Sequence, residues 1–156
     1  MLMTRDRSLK KAGLFLLLLL IALFCVSDAF ARNDQLTFPV QDVLNSEDAE
    51  ERLGGRVKFY FGAQESGEIA RNFGEYRSNK KTNAFNKSDL RACNWAFLSA
   101  LIALEKRALR EGGDAVINIQ SNYKNNPFSS ETEFECGAGN IIAGVALKGT
   151  VVKLKP

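Results

Sequence analysis

Residues 88–123 read SDLRACNWAFLSALIALEKRALREGGDAVINIQSNY, and this stretch decides the fold. Ser88 is a side chain that can accept a hydrogen bond from a free amide in the first turn of a helix. The apolar residues after it recur at helical spacing, and residues 95–104 contain one polar side chain, Ser99. Because that run is apolar on every side, the helix needs a sheet to cover it. The pair Gly112–Gly113 supplies a left-handed stop.

A strand follows the two glycines directly. Residues 115–123 alternate in polarity, and Ala115, Ile117 and Ile119 are expected on one mostly apolar face. A helix joined to a strand by so short a turn folds back and buries its apolar side on the sheet. The stretch therefore predicts a helix packed on a sheet.

The rest of the chain predicts further strands around this unit. Strand patterns occupy residues 56–62, 73–85, 131–136 and 141–154, and a capping serine followed by acids predicts a short helix over 46–53. The predicted fold class is α+β, a two-layer sandwich of a mostly antiparallel sheet with one long helix packed on a face. The predicted order is β-β-α-β-β-β after the short N-terminal helix. The predicted division is a signal peptide at 1–31, an N-terminal lead-in with the short helix at 32–55, and a single α+β domain at 56–156; within the lead-in, residues 32–39 are expected to be loose.

The first 31 residues have the pattern of a secretory signal peptide. Four basic residues precede the apolar run Leu14–Val26, which has 13 residues, and Ala29–Ala31 is a small-x-small cleavage site. Such a run is short for a membrane span, which needs about 20 residues. An uncleaved anchor is one alternative, and lipidation of Cys25 is another, although Phe24 stands where a lipidation signal has a small residue. We expect a periplasmic or secreted protein that is cleaved near Ala31.

The charge of the cleaved chain is nearly balanced. The whole sequence has 21 basic and 18 acidic residues, and the leader removes four basic and two acidic ones, which leaves 17 against 16. A net charge of +1 is not the basic footprint of a nucleic-acid-binding protein. We therefore expect no nucleic-acid partner.

Two cysteines remain after cleavage, Cys93 and Cys136. An even pair in an exported chain predicts one disulfide, with two free buried thiols as the alternative. The bond would tie the start of the long helix to a later strand. By closing a loop of about 44 residues it would stabilise the fold by about 4 kcal/mol.

Several classes of catalytic site are excluded by composition. The sequence contains no histidine, so it has no Ser-His or Cys-His nucleophile pair and no histidine metal site. It also has no phosphate-binding loop of the ATPase type. We expect a protein that is not an enzyme, with no metal and no cofactor. The alternative is a small hydrolase or carbohydrate-active enzyme that uses carboxylates such as Glu75 and Glu133, which would have to lie about 5–9 Å apart.

One group of basic and aromatic residues is a candidate binding patch. Its members are Lys80, Lys81, Lys87, Arg91 and Tyr76. They could bind acidic groups, such as envelope polysaccharide or anionic lipid headgroups, or they could form a solvated sheet face.

Two other features have a structural and a functional interpretation. Glu131, Glu133 and Glu135 alternate along one strand, which predicts a solvated strand face or else a weak cation site or a negative surface for a partner. Trp95 falls in the most apolar part of the helix, and we expect it in the core rather than at a ligand.

Two sets of short motifs resemble known bacterial proteins. The block Gly112–Ile119 and the strand Gly144–Val152 resemble the YbjQ-like small proteins and the Rcs stress-sensor lipoprotein of bacterial envelopes, which implies a compact α/β unit. Residues 59–62, 79–88, 93–100 and 129–139 are similar to short exported bacterial proteins, some labelled "excinuclease ATPase subunit". That activity has no support in a chain without a nucleotide-binding loop.

The sequence as a whole predicts a non-enzymatic envelope protein that binds or senses a component of its surroundings. The export signal, the cysteine pair and the composition support this class. The expected partner is an envelope protein or an anionic envelope component, and we expect no membrane span once the signal is removed.

Overall fold

The protein is described here by a computed structural model that covers residues 32–156. The predicted signal peptide, its cleavage site and Cys25 lie outside the described residues. Residues Arg32–Pro156 form one compact unit. In chain order its elements are β1 (Asp34–Pro39), α1 (Val40–Leu44), α2 (Glu47–Arg52), β2 (Lys58–Phe61), β3 (Ile69–Asn83), α3 (Asp89–Glu111), β4 (Ala115–Tyr123), β5 (Asn126–Phe128), β6 (Glu133–Ala138) and β7 (Ile142–Leu154).

The predicted fold class is confirmed. The described strands form one curled, mostly antiparallel sheet, and the long helix α3 packs on it. Helix α3 begins and ends as its sequence predicts: the Ser88 hydroxyl accepts from the amide of Arg91, and Gly112 ends the helix in the left-handed conformation with φ of 82°. Among residues 32–156, no helix combines the length and the hydropathy that a bilayer crossing requires.

The last strand, β7, is the centre of the sheet. Along one edge it pairs antiparallel with β3, from Ile142 opposite Asn83 to Leu154 opposite Ile69. Its other edge is shared by β4 and β6, which are both antiparallel to it. Strand β2 extends the sheet in parallel with β4, β5 pairs with the end of β4, and β1 pairs antiparallel with β6.

The main core lies between α3 and the sheet. Phe97 and Phe134 are fully buried, and their rings stack with centroids 4.0 Å apart. The ring of Phe61 is 6.0 Å from Phe97, and that of Phe38 is 5.9 Å from Phe134. This row of aromatic rings joins α3 to β6, β1 and β2, so it holds both layers together.

The predicted disulfide is confirmed. The sulfur atoms of Cys93 and Cys136 are 2.04 Å apart, their Cα atoms are 5.8 Å apart, and both residues are fully buried. The bond ties the start of α3 to β6, as the sequence predicts.

The N-terminal lead-in is not loose, contrary to the sequence-based expectation. Residues Asp34–Pro39 form β1 along the edge of β6, and Leu36 and Phe38 pack against the main core. The alternation of these two apolar residues with polar neighbours is a strand signal, but it is too short to stand out. The short helix α2 forms where it is predicted, with Ser46 as its N-cap.

A bulge at Asn118 corrects the expected faces of β4. Asn118 has a positive φ of 52°, and the register of β4 against β7 shifts between Ile117 and Gln120. Ile119 therefore joins the main core, whereas Ile117 packs with Ala115 in a separate small cluster. Asparagine adopts a positive φ more readily than most other non-glycine residues. The bulge inserts one extra residue, so the side chains that follow it point to the opposite face of the sheet from the one that simple alternation predicts.

Asp114 closes the turn between α3 and β4. Its Oδ1 accepts a hydrogen bond from the amide of Leu154 at 2.9 Å, and the Lys153 ammonium lies 3.0 Å from Oδ2. The Leu154 amide and then Lys153 hold the pKa of Asp114 below its usual value of 3.8. Because the folded pKa is the lower one, the carboxylate stabilises the fold above the unfolded pKa, and this contribution disappears as pH falls through the folded pKa.

Asp114→Asn is expected to make stability less dependent on pH on the acid side. Asparagine keeps the size of the side chain but does not ionise, so the variant should lose less stability than the wild type between neutral pH and about pH 3. Urea unfolding midpoints at the two pH values measure the difference. Glu65→Gln, at an exposed site between β2 and β3, is the matched control. If the wild type, Asp114→Asn and Glu65→Gln all lose the same stability between neutral pH and about pH 3, the role of Asp114 is contradicted.

Candidate functional site

A groove of about 520 Å³ lies beside the first half of α3. Residues of α1, of the turn into α2, of the end of β3 and of the first turns of α3 line it. The lining includes the basic side chains of Lys87 and Arg91, the amide of Asn94 and the ring of Trp95, with one acid, Asp48. Basic groups therefore outnumber acidic ones in the groove.

The two basic residues and the indole follow one side of the helix start. Arg91 and Trp95 are four residues apart on α3, so their side chains are neighbours on its surface. The Lys87 ammonium donates to the carbonyl of Asn83 at 2.8 Å, which holds this side chain against the end of β3. A ligand along this side of the helix would meet two cations and then an aromatic ring.

Trp95 is at the surface of the groove and not in the core, so the expectation for this residue is wrong. It is 39% exposed, and the guanidinium of Arg52 lies 4.4 Å from the ring centroid. The sequence-based expectation was that other parts of the protein would bury the apolar residues of α3 on every side of the helix. In the structure α2 covers this side only in part, through Arg52, and part of the indole stays open.

Asn94 lines the groove and carries an unsatisfied side-chain acceptor. Its Oδ1 atom is buried and has no hydrogen-bond partner among residues 32–156. A buried acceptor without a donor costs about 1–3 kcal/mol. The atom is shielded from solvent, so it belongs to the wall behind the groove and not to its open surface.

Arg32 neutralises the acid in the first turn of α3. Its guanidinium makes two hydrogen bonds to the carboxylate of Asp89 and a third, at 2.7 Å, to Asp34. The hydrogen bond from Arg32 holds the pKa of Asp89 below its usual range. Because Asp89 is already paired, its charge does not offset Lys87 and Arg91.

The structure divides the predicted basic patch. Lys87 and Arg91 line the groove together. Lys80 and Lys81 point to opposite faces of β3, because side chains alternate along a strand. Lys81 lies over Gly144, its neighbour in the register with β7. The groove therefore contains two of the four predicted basic residues.

Tyr76 lies at the other end of α3 from the groove. The guanidinium of Arg107 is 4.7 Å from its ring, and the ring packs against the core. Burial, and then the carboxylate of Glu111, raises the pKa of Tyr76. The helix rise from Arg91 to Arg107 is about 24 Å, so Tyr76 belongs to a different surface.

The three glutamates near β6 do not form one solvated face. Glu133 is exposed, but Glu135 is only 8% exposed, and its Oε1 accepts from the side-chain amide of Gln35 at 2.6 Å. Glu131 precedes the strand. The burial of Glu135 follows from β1, which covers this part of β6 and was not predicted.

The structure does not bring Glu75 and Glu133 together. Glu75 lies 3.4 Å from Arg77 and 3.8 Å from Lys148. Strand β7 lies between β3, which carries Glu75, and β6, which carries Glu133. The end of β4 also reaches β6, where the Ser121 hydroxyl accepts a hydrogen bond from the amide of Glu135. The two carboxylates are thus at least two strand spacings apart, about 10 Å along the sheet, which exceeds the separation of paired glycosidase carboxylates.

No protein-family model matches this chain, and no curated protein or solved structure shows significant similarity to it.

Proposed function

We propose that this protein is a non-enzymatic binding module of the bacterial envelope, and that its groove binds an acidic saccharide. The observation that carries the proposal is the lining of the groove, where Lys87 and Arg91 stand beside the half-open ring of Trp95. The predicted export signal supports the location in the envelope.

Each part of the groove suits one part of such a ligand. Carboxylates of uronic acids form charge-assisted hydrogen bonds with lysine and arginine. The apolar face of a sugar ring can pack on the open part of the Trp95 indole, since an aromatic side chain offers a flat apolar surface.

Trp95 makes the proposal directly testable, because it is the only tryptophan in the sequence. Residues 32–156 contain the whole described core, and this chain can be titrated with an oligosaccharide of galacturonic acid while Trp95 fluorescence is recorded. We expect a saturable change in fluorescence that weakens as salt is added. A neutral oligosaccharide of the same length should give a much weaker change.

Arg91→Ala is expected to weaken binding about tenfold, the effect of one lost charge-assisted hydrogen bond. The substitution keeps the helix cap, since Ser88 binds the backbone amide of Arg91 and not its side chain. Arg110→Ala, near the end of the same helix, is the matched control and should bind as the wild type does. The proposal is wrong if the acidic oligosaccharide leaves the fluorescence unchanged, or if the two variants lose affinity equally.

A further inference from the structure

Exposed apolar side chains are concentrated at one end of the described domain. Six large apolar residues are exposed among residues 32–156, and three of them, Phe85, Ile141 and Ile142, lie where β3 ends and β7 begins. The amide of Ala84 donates to the carbonyl of Ile141 at 2.7 Å, and Asn83 is opposite Ile142 in the register. We call Phe85, Ile141 and Ile142 the apolar tip.

The described chain also starts at this end. Asp34 is opposite Ala138, and the amide of Gly139 donates to the carbonyl of Ile142, so the start of β1 lies beside the loop that carries the apolar tip. The first described residues therefore lie at the same end of the domain as the apolar tip.

The charges around the tip are basic. Lys81 and Lys87 flank it, and neither forms an ion pair within residues 32–156. The nearby acids, Asp34 and Asp89, are both bound by Arg32. A surface that approaches the tip would thus meet apolar side chains with two ammonium groups beside them, of which that of Lys87 also donates to the carbonyl of Asn83.

We propose that the apolar tip docks on the surface of an anionic lipid bilayer. Phe85, Ile141 and Ile142 would enter the boundary between headgroups and acyl chains, and Lys81 and Lys87 would bind the anionic headgroups. Apolar burial combined with basic charge is the general requirement for binding at a membrane surface. A lipid surface fits better than a protein partner, because the lysines beside the apolar side chains complement the charge of anionic headgroups. The inference does not depend on the ligand of the groove.

Vesicle co-sedimentation tests the proposal with residues 32–156. The protein should sediment with vesicles of phosphatidylglycerol mixed into phosphatidylcholine, and only weakly with vesicles of phosphatidylcholine alone. The double variant Ile141→Ser/Ile142→Ser should lower partitioning at least about tenfold, since two large apolar side chains no longer enter the bilayer. Ile69→Ser is the matched control, because Ile69 is also exposed but lies at the opposite end of the β3–β7 pair.

Two further variants distinguish docking through the apolar tip from docking through the groove. Lys81→Glu, which lies outside the groove, should lower partitioning onto anionic vesicles, whereas Trp95→Ala should leave it unchanged. Thermal unfolding of every variant shows whether the substitution has altered the fold. The proposal is overturned if anionic vesicles do not bind the protein, if the Ile141/Ile142 and Ile69 variants partition equally, or if Trp95→Ala alone removes binding.

Discussion

Phe97→Ala is expected to lower the free energy of unfolding by about 3–5 kcal/mol, which is the range for removing a buried aromatic side chain. Phe97 is fully buried, stacks on Phe134 at 4.0 Å and lies 6.0 Å from Phe61. The substitution opens a cavity in the middle of the aromatic row, and neighbours on two different layers cannot both move to fill it. Urea denaturation of residues 32–156 measures the loss.

Phe85→Ala is the matched control for this prediction. It removes the same side chain from a site that is 62% exposed, and its effect should stay within about 0.5 kcal/mol. A loss at Phe97 no larger than that at Phe85 would show that the aromatic row does not hold the two layers together.

Removal of the disulfide is expected to cost about 2–5 kcal/mol. The bond between Cys93 and Cys136 closes a long loop, with a sequence separation of 43, and therefore restricts the unfolded chain strongly. The variant Cys93→Ser/Cys136→Ser removes the bond without leaving a reactive thiol. Its urea midpoint should match that of the wild type in the presence of a reductant.

Thiol titration provides the independent check. The unfolded, unreduced chain of residues 32–156 should release no free thiol, and each single serine variant should release one. Two free thiols in the wild-type chain, or a midpoint that a reductant does not change, would contradict the bond.

The large elements of the fold could be predicted from the sequence because their signals are long. Helix α3 has 23 residues, a capping serine and a glycine stop, so periodicity and end signals agree over many positions. Strand β1 was missed because it has only six residues, which is too short for a clear periodicity. Two of these residues are partly buried only because β1 pairs with β6, about a hundred residues away in the sequence. The bulge at Asn118 could not be predicted, since alternation continues through it in the sequence.

The candidate site could be predicted only in part, for a related reason. Lys87 and Arg91 were found because they lie close together in the sequence. Lys81 and Tyr76 were grouped with them for the same reason, but strand alternation and the length of α3 place them elsewhere. Arg52 was missed because it lies far from Trp95 in the sequence and meets the indole only in the folded chain.

The position of β7 in the sheet determines when the domain can fold. Among the described strands, β3 pairs with β7 alone, and β4 and β6 come together along the other edge of β7. Because β7 is translated after all of them, the nascent chain cannot close its sheet until residues 142–154 have emerged. Pairing over long sequence separations is also slow. A chain of this topology therefore cannot complete its sheet before its last strand has been made.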